Sequence, residues 1–551
     1  MMDSVKVIIK KEEYDILKGT TLGEVAKTFQ SYFRYPIILA KVNGNTTELH
    51  KTVEKDCSIE FLDLTSKEGN KAHVNGLIFT MVYAVKQLYG KDADISVQHS
   101  IDKGIYIETT FDIEEKDVVL IKDKMMELMN SELEFQKLFA DRLETMDHFY
   151  KEGNDVKADV LKYITDTHVT LYRLGNLYNY FYGVMPKDTS ELKSFDLNYI
   201  TNNGFVLRFP TIYINDQIKP YTHYENMFEV FRKSRDWAKI MNVRKSTDLN
   251  KLVSSGSIND LIRINETLQS NELLKVAEDI HKNINNIKII LLAGPTSSGK
   301  TTSTMKISMY LRSFGIKARM ISMDDYFVER HETPIDEDGK TDFEALEAID
   351  LTLFNEQVGQ LLNKEEIVKP VYNFKMGTKE FKENMKLEDN EILFIEGIHA
   401  LNDRILENID RDKKYKIYIS PLTELSIDQH NRLSTTDNRL LRRIIRDNRT
   451  RNYKVENTLE RWASVRRGEE KHIFPYQGEA NYTINSSMIY EFGVLKLYVE
   501  PLLYSVDHTS PYYEEAKRLI NFLRVFLPIP SEAIPEDSVL REFIGGSCFH
   551  D

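Results

Sequence analysis

The run Gly294-Pro295-Thr296-Ser297-Ser298-Gly299-Lys300-Thr301 follows directly on the apolar stretch Ile287-Lys288-Ile289-Ile290-Leu291-Leu292-Ala293, and no other feature so narrows what the chain can fold into. It fits the Gly-x4-Gly-Lys-Ser/Thr pattern at every specified position, a match that chance supplies about once per hundred chains of this length. An apolar strand precedes it and a helix-compatible run, Thr301 to Arg312, follows. The glycines therefore sit at a strand-to-helix turn, where backbone N–H groups point inward at phosphate oxygens and the helix start adds partial positive charge. On this reading Lys300 reaches the β- and γ-phosphates of ATP and Thr301 ligates magnesium, while Gly294, Pro295, Thr296, Ser297, Ser298, Gly299 and Thr302 line the phosphates. The motif alone does not separate a kinase from an ATPase or a GTPase.

Two further strands bring carboxylates to the same edge. Ile316 to Met323 ends at Asp324, and Glu391-Ile392-Leu393-Phe394-Ile395 ends at Glu396. The carboxyl edge of an open α/β sheet is where ligands bind. Asp324 there either accepts the proton of an attacking hydroxyl, caps a helix or helps to hold magnesium; Glu396 suits a second magnesium-side carboxylate acting through water. Arg439, Arg442, Arg443 and Arg446 recur at helical spacing, and Arg449 and Arg451 follow. That face reads as a lid over the γ-phosphate.

The chain has 551 residues, more than one core usually organises. Residues 1–65 alternate in short strands around a helical patch from Thr21 to Phe29, the rhythm of a small β-grasp domain. Residues 66–235 read as an α+β domain, with a helix from His73 to Tyr89 and a long charged amphipathic segment from about Glu115 to Tyr163. A helical linker is expected over 236–285, with a break at Ser254-Ser255-Gly256-Ser257, and a P-loop domain with a mostly parallel, helix-covered sheet over 286–551. The fold class is thus multidomain, α/β and α+β. A net charge of −13 repels nucleic acid and anionic membranes as a whole. Cys57 and Cys548 offer no disulfide framework, the opening residues show no secretory signal, and no apolar run spans a bilayer, so a cytoplasmic protein without membrane contact is expected.

The second half resembles the uridine kinase and phosphoribulokinase family of P-loop kinases. The resemblance rests on the loop itself, Ser322-Met323-Asp324-Asp325-Tyr326, Pro370-Val371-Tyr372-Asn373-Phe374, Phe394-Ile395-Glu396-Gly397 and Arg442-Arg443-Ile444-Ile445-Arg446-Asp447. It implies transfer of the ATP γ-phosphate to a nucleoside 5′-hydroxyl, with Asp324 as base, Lys300, Arg446 and Arg451 on the phosphates, and Glu344, Tyr372 and Arg443 toward the acceptor. It also implies a homo-oligomer. Three positions depart from the uridine kinase pattern: Gly377 replaces a base-reading histidine, Phe327 a tyrosine and Tyr453 an arginine. Phosphate-handling positions match and base-reading positions do not, which leaves a sugar phosphate or another small hydroxyl compound open as acceptor.

The first half resembles a TGS domain followed by the second additional, editing-type domain of threonyl-tRNA synthetase, through Ala40-Lys41-Val42-Asn43-Gly44, the helix from His73, and Met185-Pro186 before Lys193-Ser194-Phe195. Of the polar set that family uses, His73 is present, whereas its partners read Leu77, Tyr180 and Val184. Neither zinc nor editing chemistry is expected. An RNA contact by these domains, with the P-loop as an ATPase switch, is the alternative to a kinase. The aromatic cluster Tyr178, Tyr180, Phe181 and Tyr182 reads as core packing before base stacking, and His472 reads as a surface residue.

Overall fold

The computed structural model describes residues 3–212, 218, 220–222, 225–337, 339–374, 376–423 and 425–549. Residues 4–63 form a five-stranded mixed sheet in which the outer pair of the chain, Ser4–Ile9 and Cys57–Asp63, run parallel side by side. Helix Leu22–Phe29 covers it. Thr21 starts this helix by accepting the Glu24 N–H at 3.2 Å while Glu24 accepts the Thr21 N–H at 2.8 Å, and Leu22, Val25, Ala26 and Phe29 face the sheet.

Helix Lys67–Tyr89 begins ahead of the expected His73, because Ser66 caps it by accepting the Gly69 N–H. It is buried against the antiparallel sheet of Ile95–Ile101, Gly104–Thr109, Gly204–Arg208 and Asp196–Thr201. The charged segment from Glu115 is not one continuous helix. Helix Glu115–Asn130 ends before Glu132, whose φ of 49° turns the chain, and the alternating residues that follow form strand Gln136–Asp141. Asp141 then caps helix Arg142–Lys151 by accepting from Leu143 and Glu144.

The segment 236–285, expected as a helical linker, is helical over most of its length, in the end of Glu225–Met241, in Ser246–Ser254 and in Ile258–Lys282. The boundary expected near 235 lies inside helix Glu225–Met241, and Ile258–Lys282 buries Leu273, Val276, Ala277 and Ile280 in one core with Ile290, Leu292, Ile307 and Leu311. The apolar repeat of the second helix, diluted by charges, conceals that role.

The second half is a parallel sheet of β1 (Ile289–Ala293), β2 (Lys317–Ser322), β3 (Glu391–Glu396), β4 (Lys414–Ser420) and β5 (Tyr482–Asn485), in spatial order 2-3-1-4-5. Helices flank it, as buried parallel strands require. β1 is buried on both faces and runs into the loop that feeds helix α1 (Lys300–Ser313). Helices α2 (Thr435–Arg451) and α3 (Val455–His472) meet the loop through Arg439 and Glu469, which bond the carbonyl and the N–H of Thr296. Among the described residues no helix is long and apolar enough to cross a membrane.

The two halves share a core: Phe149, Leu161, Leu171 and Tyr180 pack with Leu425, Ile427, Leu433 and Leu440. At its centre Lys157 and Asp428, 2% and 0% exposed, form an ion pair at 3.1 Å. Asp428 also accepts the N–H groups of His430 and Asn431, and Asn431 donates to the Tyr180 carbonyl. His430 spans from Asn179 to Asp94 at 3.0 and 2.9 Å. Tyr180 and Phe181 are buried, as core packing predicts. Removing one member of such a pair strands the other, which typically costs ~3–5 kcal/mol. Lys157→Met is therefore expected to weaken the joint by about that amount in urea titrations, and Lys157→Met with Asp428→Asn to recover part of the loss; a double variant no better than the single one would show that the charge is not what is stranded.

Candidate active site

The loop is shaped by backbone that side chains resist. Gly299 has φ +83° and Ser297 φ +58°, and a Cβ on Gly294 would lie 2.2 Å from the Ile419 carbonyl of β4. The hydroxyls of Ser297 and Ser298 are buried without a hydrogen-bond partner. Lys300 folds its ammonium back onto the carbonyls of Gly294 and Pro295, at 3.1 and 3.4 Å. Thr302 donates from its N–H and its hydroxyl to Glu542, at 3.2 and 2.9 Å.

Strand register sets the carboxylates. Ser322 ends β2 opposite Glu396 at the end of β3, and its hydroxyl donates to that carboxylate at 3.2 Å. Asp324 lies on the 3-10 turn Met323–Tyr326 that follows. Burial pushes the Glu396 carboxyl up to about 7, opposed by the Lys300 ammonium and reinforced by the Asp324 carboxylate. Asp324, Lys300 and Glu396 thus share one electrostatic site. Asp325 points elsewhere, into an ion pair with Lys369 at 2.9 Å.

The arginines divide into two groups, which corrects the single lid face. Arg439 and Arg442 are 1% and 0% exposed. Arg442 is held by Glu491 and the Ser486 carbonyl; Arg439 pairs with Glu469 and donates to the Thr296 carbonyl at 3.0 Å. Arg439 thus holds the loop directly, and Arg442 holds Ser486 and Glu491 beside it. Arg443, Arg446 and Arg451 converge on Asp447 at 3.1, 2.9 and 3.5 Å. Against the cost of burial, Arg446, Arg443 and Arg451 hold the Asp447 carboxyl below its ordinary value. Arg443 also lies 3.5 Å from the Thr296 hydroxyl, and Arg451 reaches over the Phe374 ring.

Of the residues expected toward the acceptor, Tyr372 packs with Phe327 and Phe374 at centroid distances of 5.6 and 5.0 Å, and its hydroxyl is buried without a partner. Glu344 presents a buried, unpartnered Oε2. Burial and the nearby Glu469 carboxylate push it up to about 7, with Arg443 and Lys300 opposing. Gly377 has φ +76°, and a Cβ there would lie 2.8 Å from Arg330, so no side chain projects from this position. His472 is not a surface residue: it is half-buried, with its ring 6.1 Å from that of buried His399.

Residues 289–489 match the Phosphoribulokinase / Uridine kinase family. A uridine kinase from Bacillus pumilus (strain SAFR-032) is 31% identical over 177 residues, covering 32% of this chain and 75% of that protein. The chain belongs to the phosphoribulokinase/uridine kinase family. It is a P-loop kinase, and the family's catalytic chemistry calls for ATP and magnesium. The structure of a possible uridine kinase from Bacillus stearothermophilus is 25% identical, covers 26% of this chain and 78% of that one, and has a TM-score of 0.22. The front half is similar to threonine–tRNA ligases; that of Staphylococcus aureus (strain bovine RF122 / ET3-1) is 27% identical over 241 residues, 42% of this chain. The chain spans only 36% of that ligase's length. Within the front half His73 is buried and donates to the Ser194 carbonyl at 3.1 Å, Leu77 and Tyr180 are in the core, and Val184 is half-buried. Among the described residues no group of three His, Cys, Asp or Glu side chains is gathered to hold a metal. A site that takes magnesium from one hydroxyl and one or two carboxylates does not need such a cage.

Sequence reasoning passed over Glu469, which accepts the Thr296 N–H at 3.3 Å and pairs with Arg439 and Arg466, and Gly468, where a Cβ would lie 2.3 Å from that of Glu344. Arg466-Arg467-Gly468-Glu469-Glu470 reads as a solvated face, and only the packing of α3 on the loop distinguishes its members. For Glu344 the sign of the linkage is set: a carboxyl raised in the folded state contributes stability below its ordinary value near 4.5 and loses it as pH rises through about 7. Glu344→Gln is expected to raise the melting temperature of the nucleotide-free protein at pH 8 and to leave it unchanged near pH 4.5; equal shifts at both pH values would contradict the assignment.

Proposed function

We propose that the chain transfers the γ-phosphate of ATP to a hydroxyl of a small, nucleoside-like acceptor. One observation carries this reading. Among the described residues no hydrogen bond or ion pair holds Asp324, although it lies within electrostatic reach of Lys300's neighbour Glu396, of Glu344 and of Arg451. A carboxylate with no hydrogen-bond or ion-pair partner supports the role of base toward an alcohol, whereas Asp325, tied to Lys369, is already occupied.

The donor set fits the phosphates and their metal. The orphaned hydroxyls of Ser297 and Ser298 and the inward backbone of the loop suit anionic oxygens. The Thr301 hydroxyl and the Glu396 carboxylate, with Asp324 nearby, would hold magnesium, which when bound neutralises charge on the phosphoryl oxygens. Lys300, once released from its own loop carbonyls, and Arg446 and Arg451 add the remaining positive charge.

The acceptor faces Glu344 and Tyr372, each with an unspent polar atom, and Arg443. Such atoms suit a compound rich in hydroxyls, as a ribose is. A pyrimidine is less well served, since Gly377 offers no side chain and Phe327 no hydroxyl. Asp324→Asn is expected to lower transfer by ~10²-fold or more while leaving ATP binding intact. The measurement is labelled-phosphate transfer from ATP to a panel of nucleosides and sugar phosphates, with ATP binding followed separately; near-normal transfer by the variant would remove Asp324 from the role of base.

A further inference from the structure

The segment from Ser531 to Phe549 lies against the phosphate loop and is held there on both sides of Glu542. Asp537 pairs with Lys306 of α1 at 2.8 Å, and Val539 packs so closely on Gly299 that a Cβ there would lie 2.3 Å from it. Beyond, Arg449 of α2 donates to the carbonyls of Glu542 and Phe543 at 3.0 and 3.2 Å, and Arg442 lies over the Phe543 ring. Leu540 and Phe543 are buried and Arg541 donates to the carbonyls of Ser531 and Ile534, so the backbone here is fixed. The Glu542 side chain, half-buried, extends from this backbone onto the start of α1.

There it accepts both donors of Thr302, the backbone N–H at 3.2 Å and the hydroxyl at 2.9 Å. A carboxylate at a helix start satisfies orphan N–H groups and the positive end of the dipole, and so does a phosphate. In a phosphate loop the lysine reaches the β- and γ-phosphates and the next hydroxyl the metal, so the donors one residue further on fall to the α side of the triphosphate. Thr302 cannot serve both anions at once.

We propose that Glu542 is a built-in occupant of the α-phosphate position, and that ATP binds by driving this one side chain off Thr302 while the segment around it stays docked. The protein then has two states of its nucleotide site, closed by its own carboxylate and open to phosphate, and its apparent affinity for ATP is the intrinsic one scaled by the open fraction. This rests on the loop being a nucleotide site and not on which acceptor is used.

The test is equilibrium binding of ATP, AMP and adenosine to the full chain and to Glu542→Ala and Glu542→Gln, with Lys300→Ala as the reference for loss of the phosphate loop. Glu542→Ala is expected to tighten ATP and AMP binding by roughly tenfold, Glu542→Gln by less because its amide oxygen still accepts from Thr302, and neither to change adenosine, which has no phosphate. Unchanged or weaker ATP binding in Glu542→Ala overturns the proposal, as does equal tightening of adenosine. A failure of all proteins to bind ATP in a Lys300-dependent way overturns it together with the kinase reading, whereas tightened ATP and AMP binding without phosphoryl transfer to any acceptor supports the gate alone.

Discussion

A loop that turns its N–H groups inward to hold phosphates leaves its own backbone unsatisfied, and the structure around residues 294–302 answers that constraint. The strand behind it is fixed by sheet pairing on both sides, but the loop has no ladder to hold it. Buried charge does this instead. Glu469 accepts one loop N–H and pairs with Arg439, which in turn donates to the carbonyl of the same residue, Thr296. Ser486 donates to the Ser298 carbonyl at 2.5 Å. Burying an arginine is expensive unless every donor is matched to an acceptor, so these pairs specify one loop position and admit few others.

The same helix that fixes the loop carries the arginines assigned to the phosphates. α2 presents Arg439 and Arg442 inward and, one position on, Arg443 and then Arg446 toward Asp447. Its start is gripped by the front half of the molecule: Asp428, His430 and Asn431 immediately precede it and are bonded to Lys157, Asp94, Asn179 and Tyr180. Nearer the start of the helix, Arg518 ties Asp437 to Glu515, which Lys67 also reaches. The synthetase-like half is thereby joined to the helix that carries the arginines expected at the phosphates. The arrangement gives a physical reason for the two halves to occur in one chain, independent of any chemistry in the front domain.

Much of this was legible in the sequence, and what was not has a common cause. The strand, loop and helix around Gly294–Thr301 announce themselves because the pattern encodes its own backbone. Asp324 and Glu396 follow from strand ends. The helices of 236–285 and the arginine face are less legible for one reason: helical periodicity reports that residues share a face but not what the face meets. Arg442 and Arg443 are adjacent in sequence, yet one is sealed against Glu491 and the other turns toward Asp447 and Thr296. The charged run around Glu469 looks solvated until α3 is seen to lie on the loop. Partners distant in sequence decided each case, and a single sequence does not list partners.

The positions that depart from uridine kinases gain meaning from the same argument. A histidine at position 377 would have to displace Arg330, whose guanidinium donates to the Phe374 carbonyl at 2.5 Å and so braces the aromatic wall beside Tyr372. The glycine is thus tied to Arg330 and to its own left-handed backbone, and a histidine there meets both obstacles. What remains on that wall is one buried phenol and one buried carboxyl, each with an unused polar atom. Buried atoms of that kind cost free energy until something pairs with them. On the proposed reading, selectivity comes from acceptor hydroxyls that meet these two atoms more than from any side chain at position 377.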